Sequence, residues 1–265
     1  SLALELGRCA RNQRRQQIGQ QLAPVHVSNH PLCAGSPIGP QHIVDVVCPK
    51  LGKPGLATGI DAVHLPDVPA VPVDAAFAAA LGGSFERFGF AVVADHGVPA
   101  DLIAQAWAMT EAFFALPEDV KKAYHIPGGG GARGYTPFGT EKAKDANVHD
   151  LKEFWHVGRE LPEGHPLAEF MADTVWPDDV DGFGKAFSEL YSAFETAGGK
   201  VLEAIAIHLG LPREFFAATV EDGNSVMRLL RYPPLEGEEA EGAIRAAAHG
   251  DINTITLLLG AEEAG

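Results

Sequence analysis

The chain has 265 residues, is 46% hydrophobic and 21% charged, and carries a formal net charge of −15. That length suits one large domain or two small ones with a genuine core, and the acidity argues against nucleic acid as a partner. No run approaches the roughly eighteen uninterrupted apolar residues of a membrane span, and Cys9, Cys33 and Cys48 form no C-x-x-C pair, which argues against a disulfide framework and a structural zinc site.

At the N-terminus, Leu2 to Leu6 reaches Arg8 before an apolar region of signal-peptide length can form. A soluble, cytoplasmic, monomeric protein without a membrane partner is expected. Residues 1–60 hold six basic side chains against Glu5 and Asp45, so they carry +4 and the remainder −19. Pro and Gly recur through this segment without sustained periodicity. Residues 1–65 are therefore read as an irregular piece, either a solvated leader or non-native sequence from a misplaced gene start. Residues 66–265 are read as the organised domain, helical over 74–224 and strand-rich over 225–265.

Asp74 is placed to cap a helix through Arg87 whose buried face is Phe77, Leu81, Phe85 and Phe88, with Gly89 ending it. Phe90 to Val93 reads as a short buried strand, and Pro99 opens a second helix to about Leu116. The glycines of Gly128 to Gly131 invite a phosphate-cradle reading, but no G-K-[ST] follows and no strand feeds them, so a flexible loop is expected. Leu151 to Val157 alternates as a strand, with Glu153, Trp155 and Val157 opposite Lys152, Phe154 and His156. A long helix is expected over 180–209, weakened at Gly198-Gly199, then a shorter one from Pro212. Ser225 to Tyr232 is strand-like and stops at Pro233-Pro234, and further strands are expected over 243–248 and 249–259. Helices first and strands last indicate an α+β fold.

The chemistry-bearing pattern is His249-Gly250-Asp251. On a strand, residues two apart share a side, so His249 and Asp251 project together, with Asn253, Ile255, Leu257 and Leu259 behind them. An imidazole and a carboxylate converging in this way supply two adjacent ligands for a divalent metal. One more His would complete the 2-His-1-carboxylate face of non-haem Fe(II) oxygenases, which leaves positions open for O₂ and a co-substrate. Three residues alone arise often by chance. His96, His125, His156 and His208 are read as structural.

The surroundings carry more. Met227-Arg228-Leu229-Leu230-Arg231-Tyr232-Pro233-Pro234, an acidic turn, then His249-Gly250-Asp251 through Leu259 resembles the isopenicillin N synthase-like family of Fe(II) enzymes, most of them 2-oxoglutarate-dependent dioxygenases. Phe88-Gly89-Phe90 to Val98, Phe113 to Pro117, Arg133-Gly134-Tyr135 and Asp150 to Gly158 are similar to its N-terminal half, in the same order. The resemblance implies a double-stranded β-helix (jelly roll) with flanking helices, its C-terminal strands missing here. It implies His249 and Asp251 as iron ligands. Tyr232 would reach a substrate or co-substrate carboxylate, or else serve as a packed ring at a strand end. Arg133 would border the substrate entrance, or else lie exposed on a loop. The implied cofactors are Fe(II), 2-oxoglutarate as co-substrate and O₂, with oxidation of a small organic molecule by hydroxylation, desaturation or cyclisation. The family's third ligand, a distal His, and its R-x-S element fall after Gly265.

Rival readings are a catalytically incompetent, poorly folded fragment of such an enzyme and a 2-oxoglutarate-independent oxidase of the isopenicillin N synthase type. A zinc hydrolase lacks any H-E-x-x-H.

Overall fold

A computed structural model describes residues 73–141, 149–233 and 253–259, and the backbone of 43–47 and 63–64. The helices are α1 (Ala75–Phe88), α2 (Ala100–Phe114), α3 (Glu118–Ala123), α4 (Phe183–His208) and the short α5 (Ala217–Val220). The strands are β1 (Ile43–Val47), β2 (Val63–His64), β3 (Val93–Ala94), β4 (Gly134–Thr136), β5 (Glu153–Gly158), β6 (Val226–Arg231) and β7 (Thr256–Leu259).

Local signals set the first helix. Asp74 Oδ1 accepts from the Phe77 amide at 2.7 Å, and Gly89 ends the helix in the left-handed region at φ 79°. Phe77, Ala78 and Leu81 then pack against Val201 and Ala204 of α4. At that crossing Gly82 is required, because a Cβ there would lie 2.1 Å from the His208 ring.

The main sheet has the order β4-β5-β6-β1-β7. The β4, β5 and β6 strands run antiparallel, whereas β1 pairs parallel with both β6 and β7. One expectation changes here. The segment read as irregular supplies β1, whose run Ile-Val-Asp-Val-Val is β-branched at four of five positions. The described strands form this one mixed sheet and the small β2–β3 pair.

One face of the β4–β6 sheet meets the helices. Tyr135, Trp155, Val157, Met227 and Leu229 pack there against Phe113 and Phe114 of α2 and Phe183, Phe187, Leu190 and Phe194 of α4. Helix α4 runs unbroken through Gly198-Gly199, contrary to the expected weakening, because Ala197, Gly198 and Val201 are buried on its packed side. No helix among the described residues is long and apolar enough to cross a membrane.

The expected strand over 249–259 contracts to Thr256–Leu259 within the described residues. The Asn253 amide donates to Ile255 O at 2.6 Å and to Thr256 Oγ1 at 2.8 Å, which makes a bend where alternation was expected. Leu257 and Leu259 pack on the helix-side core, but Leu258 is 60% exposed, so the second face of this strand is not covered.

Candidate functional site

Strand β5 gives its two faces different work. Facing the helices, the Glu153 carboxylate receives Lys121 at 2.7 Å, the Tyr135 hydroxyl at 2.5 Å and Arg231 at 2.5 Å. Glu153 and Lys121 are almost wholly buried. Burial first, and then the hydrogen bond to Glu153, push the Tyr135 hydroxyl far above its usual range, so it stays a donor.

The opposite face carries Lys152, Phe154 and His156. Register places Thr136 beside Phe154, Phe154 beside Leu230, and His156 between Gly134 and Arg228. Lys152 reaches Glu141 at 2.6 Å and Asp150 at 3.0 Å, and Arg228 reaches both Glu141 oxygens at 3.2 Å. Burial raises the Glu141 carboxyl, but Arg228 and Lys152 outweigh it and the net shift is downward. Lys152 is likewise lowered by burial and raised by more through Glu141.

His156 lies at the centre of this face, stacked on Phe154 with ring centroids 4.5 Å apart. Its Nδ1 contacts Gly131 O, and its Nε2 is buried without a hydrogen-bond partner among the described residues. Burial first, then the charge of Arg228, hold the imidazole well below its ordinary range, hence neutral. A group depressed in this way contributes stability that is full above its unfolded pKa of about 6.5 and is lost in acid. Each pH unit below that value should therefore cost about 1.4 kcal/mol while only the unfolded chain takes up the proton. Urea unfolding from about pH 7.5 to 5.5 reads this. A falling midpoint whose slope flattens in His156→Phe is expected, and an unchanged slope in that variant would refute the assignment. Glu141 adds a loss of the same sign below about pH 4.3, whereas Glu195, whose carboxyl burial raises, adds stability as pH falls toward about 4.3 and no more below it.

The residues singled out in the sequence fare unequally. Arg133 is neither exposed nor on a mobile rim: it is 3% exposed. Its Nε donates to Ala172 O at 3.1 Å, Nη1 to Ala132 O at 2.7 Å and Nη2 to Asn224 Oδ1 at 2.9 Å. Gly158 makes room for it, since a Cβ there would sit 1.9 Å from the guanidinium carbon. With the guanidinium spent on protein oxygens, Arg133 fixes the loop before β4 to the end of β5. Tyr232 is half-buried, directly after β6. His249 and Asp251 lie outside the described residues. Ile255 and Leu257 pack against the helices.

Three of the histidines read as structural are so engaged: His96 Nδ1 accepts from Val98 N at 3.1 Å, His125 Nδ1 meets Tyr135 O at 3.0 Å, and His208 pairs with Glu86 at 2.9 Å. The fourth, His156, has one ring nitrogen without a partner among the described residues. Among the described residues no group of three His, Cys, Asp or Glu side chains converges as a metal site. A cavity of ≈ 580 Å³ is lined by α4, α5 and Leu257, with none of Thr136, His156 or Arg228.

Comparisons with known proteins agree with this architecture. The sequence profile described as "non-haem dioxygenase in morphine synthesis N-terminal" matches residues 60–179. A proline hydroxylase of Petromyces alliaceus is 34% identical over 191 residues, which are 69% of this chain and 58% of that protein. A 2-oxoglutarate-dependent dioxygenase of Aspergillus flavus is 32% identical over 201 residues, covering 66% of this chain and 55% of that one. A crystal structure of a 2OG-Fe(II) oxygenase family protein from Caulobacter crescentus matches with TM-score 0.63 and 51% identity, over 74% of this chain and 62% of that one. A full-length Neurospora crassa protein, solved in complex with alpha-KG, matches with TM-score 0.54 and 26% identity, over 65% and 54%. The chain thus spans less than two thirds of the length of each of these relatives. On the strength of these likenesses and the ordered motifs that run beside them, the chain belongs to the family of 2-oxoglutarate-dependent Fe(II) dioxygenases.

Proposed function

We propose that this chain is part of an Fe(II) enzyme that uses 2-oxoglutarate and O₂ to oxidise a small organic substrate by hydroxylation, desaturation or cyclisation. The observation that carries the reading is the 51% identity to a 2OG-Fe(II) oxygenase family protein across three quarters of the chain. The route through 2-oxoglutarate is favoured over the co-substrate-independent one by the Neurospora crassa relative, which was solved with alpha-KG.

The donor chemistry fits iron. The resemblance assigns the protein ligands to His249 and Asp251, an imidazole nitrogen and a carboxylate oxygen of the kind Fe(II) accepts. Bound Fe(II) would supply the redox centre for O₂ chemistry. Tyr232, at the end of β6, would orient a substrate or co-substrate carboxylate. The Thr136, Phe154, His156 and Arg228 face would form the inner wall of a double-stranded β-helix, of which β4–β6 are three strands. Glu141 and Asp150 would hold Arg228 and Lys152 in place, and Phe154 and Leu230 would keep bulk water from that wall.

Anaerobic titration of the chain with Fe(II), followed by calorimetry, tests this. Binding is expected to weaken by about tenfold or more in either His249→Ala or Asp251→Ala, and 2-oxoglutarate is expected to bind only when iron is present. No Fe(II) binding, or affinity unchanged in the double variant, would overturn the reading.

A further inference from the structure

The buried face of β5 carries a specific chemical demand. His156 cannot turn away from it, because β4 pairs on one side of the strand, β6 on the other, and the ring is stacked on Phe154. Its Nδ1 faces Gly131 O, and a carbonyl only accepts, so Nδ1 carries the ring proton. The other nitrogen, Nε2, therefore presents a lone pair. Buried polar atoms without a partner are exceptional in folded proteins, and Thr136 Oγ1, buried beside Phe154, is another such atom on this face.

The charges around the ring narrow what can meet that lone pair. Arg228, Arg133 and Lys152 all act on His156, and the carboxylates that pair with Arg228 and Lys152 among the described residues are Glu141 and Asp150. The charges of Arg228, Arg133 and Lys152 acting on the ring are positive, which makes an ammonium ligand unwelcome. Phe154, with Arg228 over its ring at 4.8 Å, and Leu230 are buried apolar neighbours of these polar atoms.

We propose that His156 is a specificity-determining residue: its Nε2 accepts a hydrogen bond from an O–H or N–H group of a neutral or anionic small molecule, seated against Phe154 with Thr136 Oγ1 as a second contact. This names the substrate class of the oxygenase reading above and rests on that reading for calling the ligand a substrate. The binding itself needs neither iron nor 2-oxoglutarate.

The test is made on the iron-free, ¹⁵N-histidine-labelled full chain. Long-range ¹H–¹⁵N spectra identify the His156 signals by their loss in His156→Phe, and an Nδ1–H tautomer with an unprotonated Nε2 is expected at neutral pH. Matched probes are then titrated: phenol against anisole, uracil against 1,3-dimethyluracil, glycolate against methoxyacetate, and benzylamine as the cation. At least one donor-bearing probe is expected to move the Nε2 resonance and to bind His156→Phe about tenfold more weakly. Its methylated partner and benzylamine are expected to leave that resonance in place. His156→Gln, which keeps an acceptor, should recover part of the affinity. An Nε2–H tautomer, equal binding of the methylated partners, binding unchanged in His156→Phe, or no binder in the set each overturns the proposal. If His156→Phe does not fold, as judged by circular dichroism, the His156→Gln variant and the selectivity of the wild-type shifts decide it. Because iron is absent throughout, failure here is separable from failure of the Fe(II) titration.

Discussion

Replacing Glu153 by Ala is expected to lower the unfolding free energy by about 3–5 kcal/mol. The carboxylate is the shared acceptor for Lys121, Tyr135 and Arg231. Those partners do not lose equally when it goes. Arg231 is 38% exposed in its side chain and can turn to water, whereas Lys121 is 7% exposed and cannot. The cost therefore comes mainly from a buried ammonium whose remaining contacts are Phe114 O at 3.4 Å and two aromatic faces. Lys121→Met should be destabilising for the mirror-image reason. The double variant Lys121→Met/Glu153→Ala should then lose less than the sum of the singles, since neither ion is left alone. Urea unfolding with an unchanged m-value measures all three. A loss under about 1 kcal/mol for Glu153→Ala would mean that the pair is solvated.

Phe113→Ala is expected to cost a similar amount, about 3–5 kcal/mol, through a different mechanism. Phe113 has no exposed surface and sits among five aromatic rings. Trp155 is the nearest, at 4.7 Å between centroids with planes at 72°, an edge-to-face arrangement. Truncation opens a void bounded by stiff rings from α2, α4, β4 and β5 and from Tyr124 at the end of α3, which cannot all move inward together. Phe113→Leu should lose roughly half as much. Thermal unfolding gives the stability change, and altered Trp fluorescence in the folded variant reports on the ring packing. A loss near 1 kcal/mol would show that the cluster collapses to fill the void.

What was legible in the sequence is what local chemistry decides. Asp74 and Gly89 announce the ends of α1 because a cap and a left-handed stop need only their neighbours. β5 was readable as a strand because Leu151 to Val157 is a short run rich in aromatic and β-branched residues. The misreadings share a non-local cause. Arg133 follows a run of glycines and reads as exposed, yet its site is made by Gly158, Ala172 and Asn224, remote in sequence. The five residues of β1 are hidden by prolines on both sides, and only pairing with β6 and β7 makes them a strand. Strand β3 covers Val93–Ala94, paired with β2, and not the whole Phe90 to Val93 run. In the candidate site, His156 and Arg228 were visible as residues but not as neighbours, since the register between β5 and β6 sets them together. The proposed iron ligands rest on the family's motif alone, and their strand begins, among the described residues, only at Thr256.

The division of labour across β5 has an evolutionary consequence. Trp155 and Val157 hold the strand to the helices, so its position is fixed whatever stands at 154 and 156. Mutations on that second side can then exchange one recognition group for another without first loosening the scaffold. A lineage built on such a strand can change its diet one residue at a time.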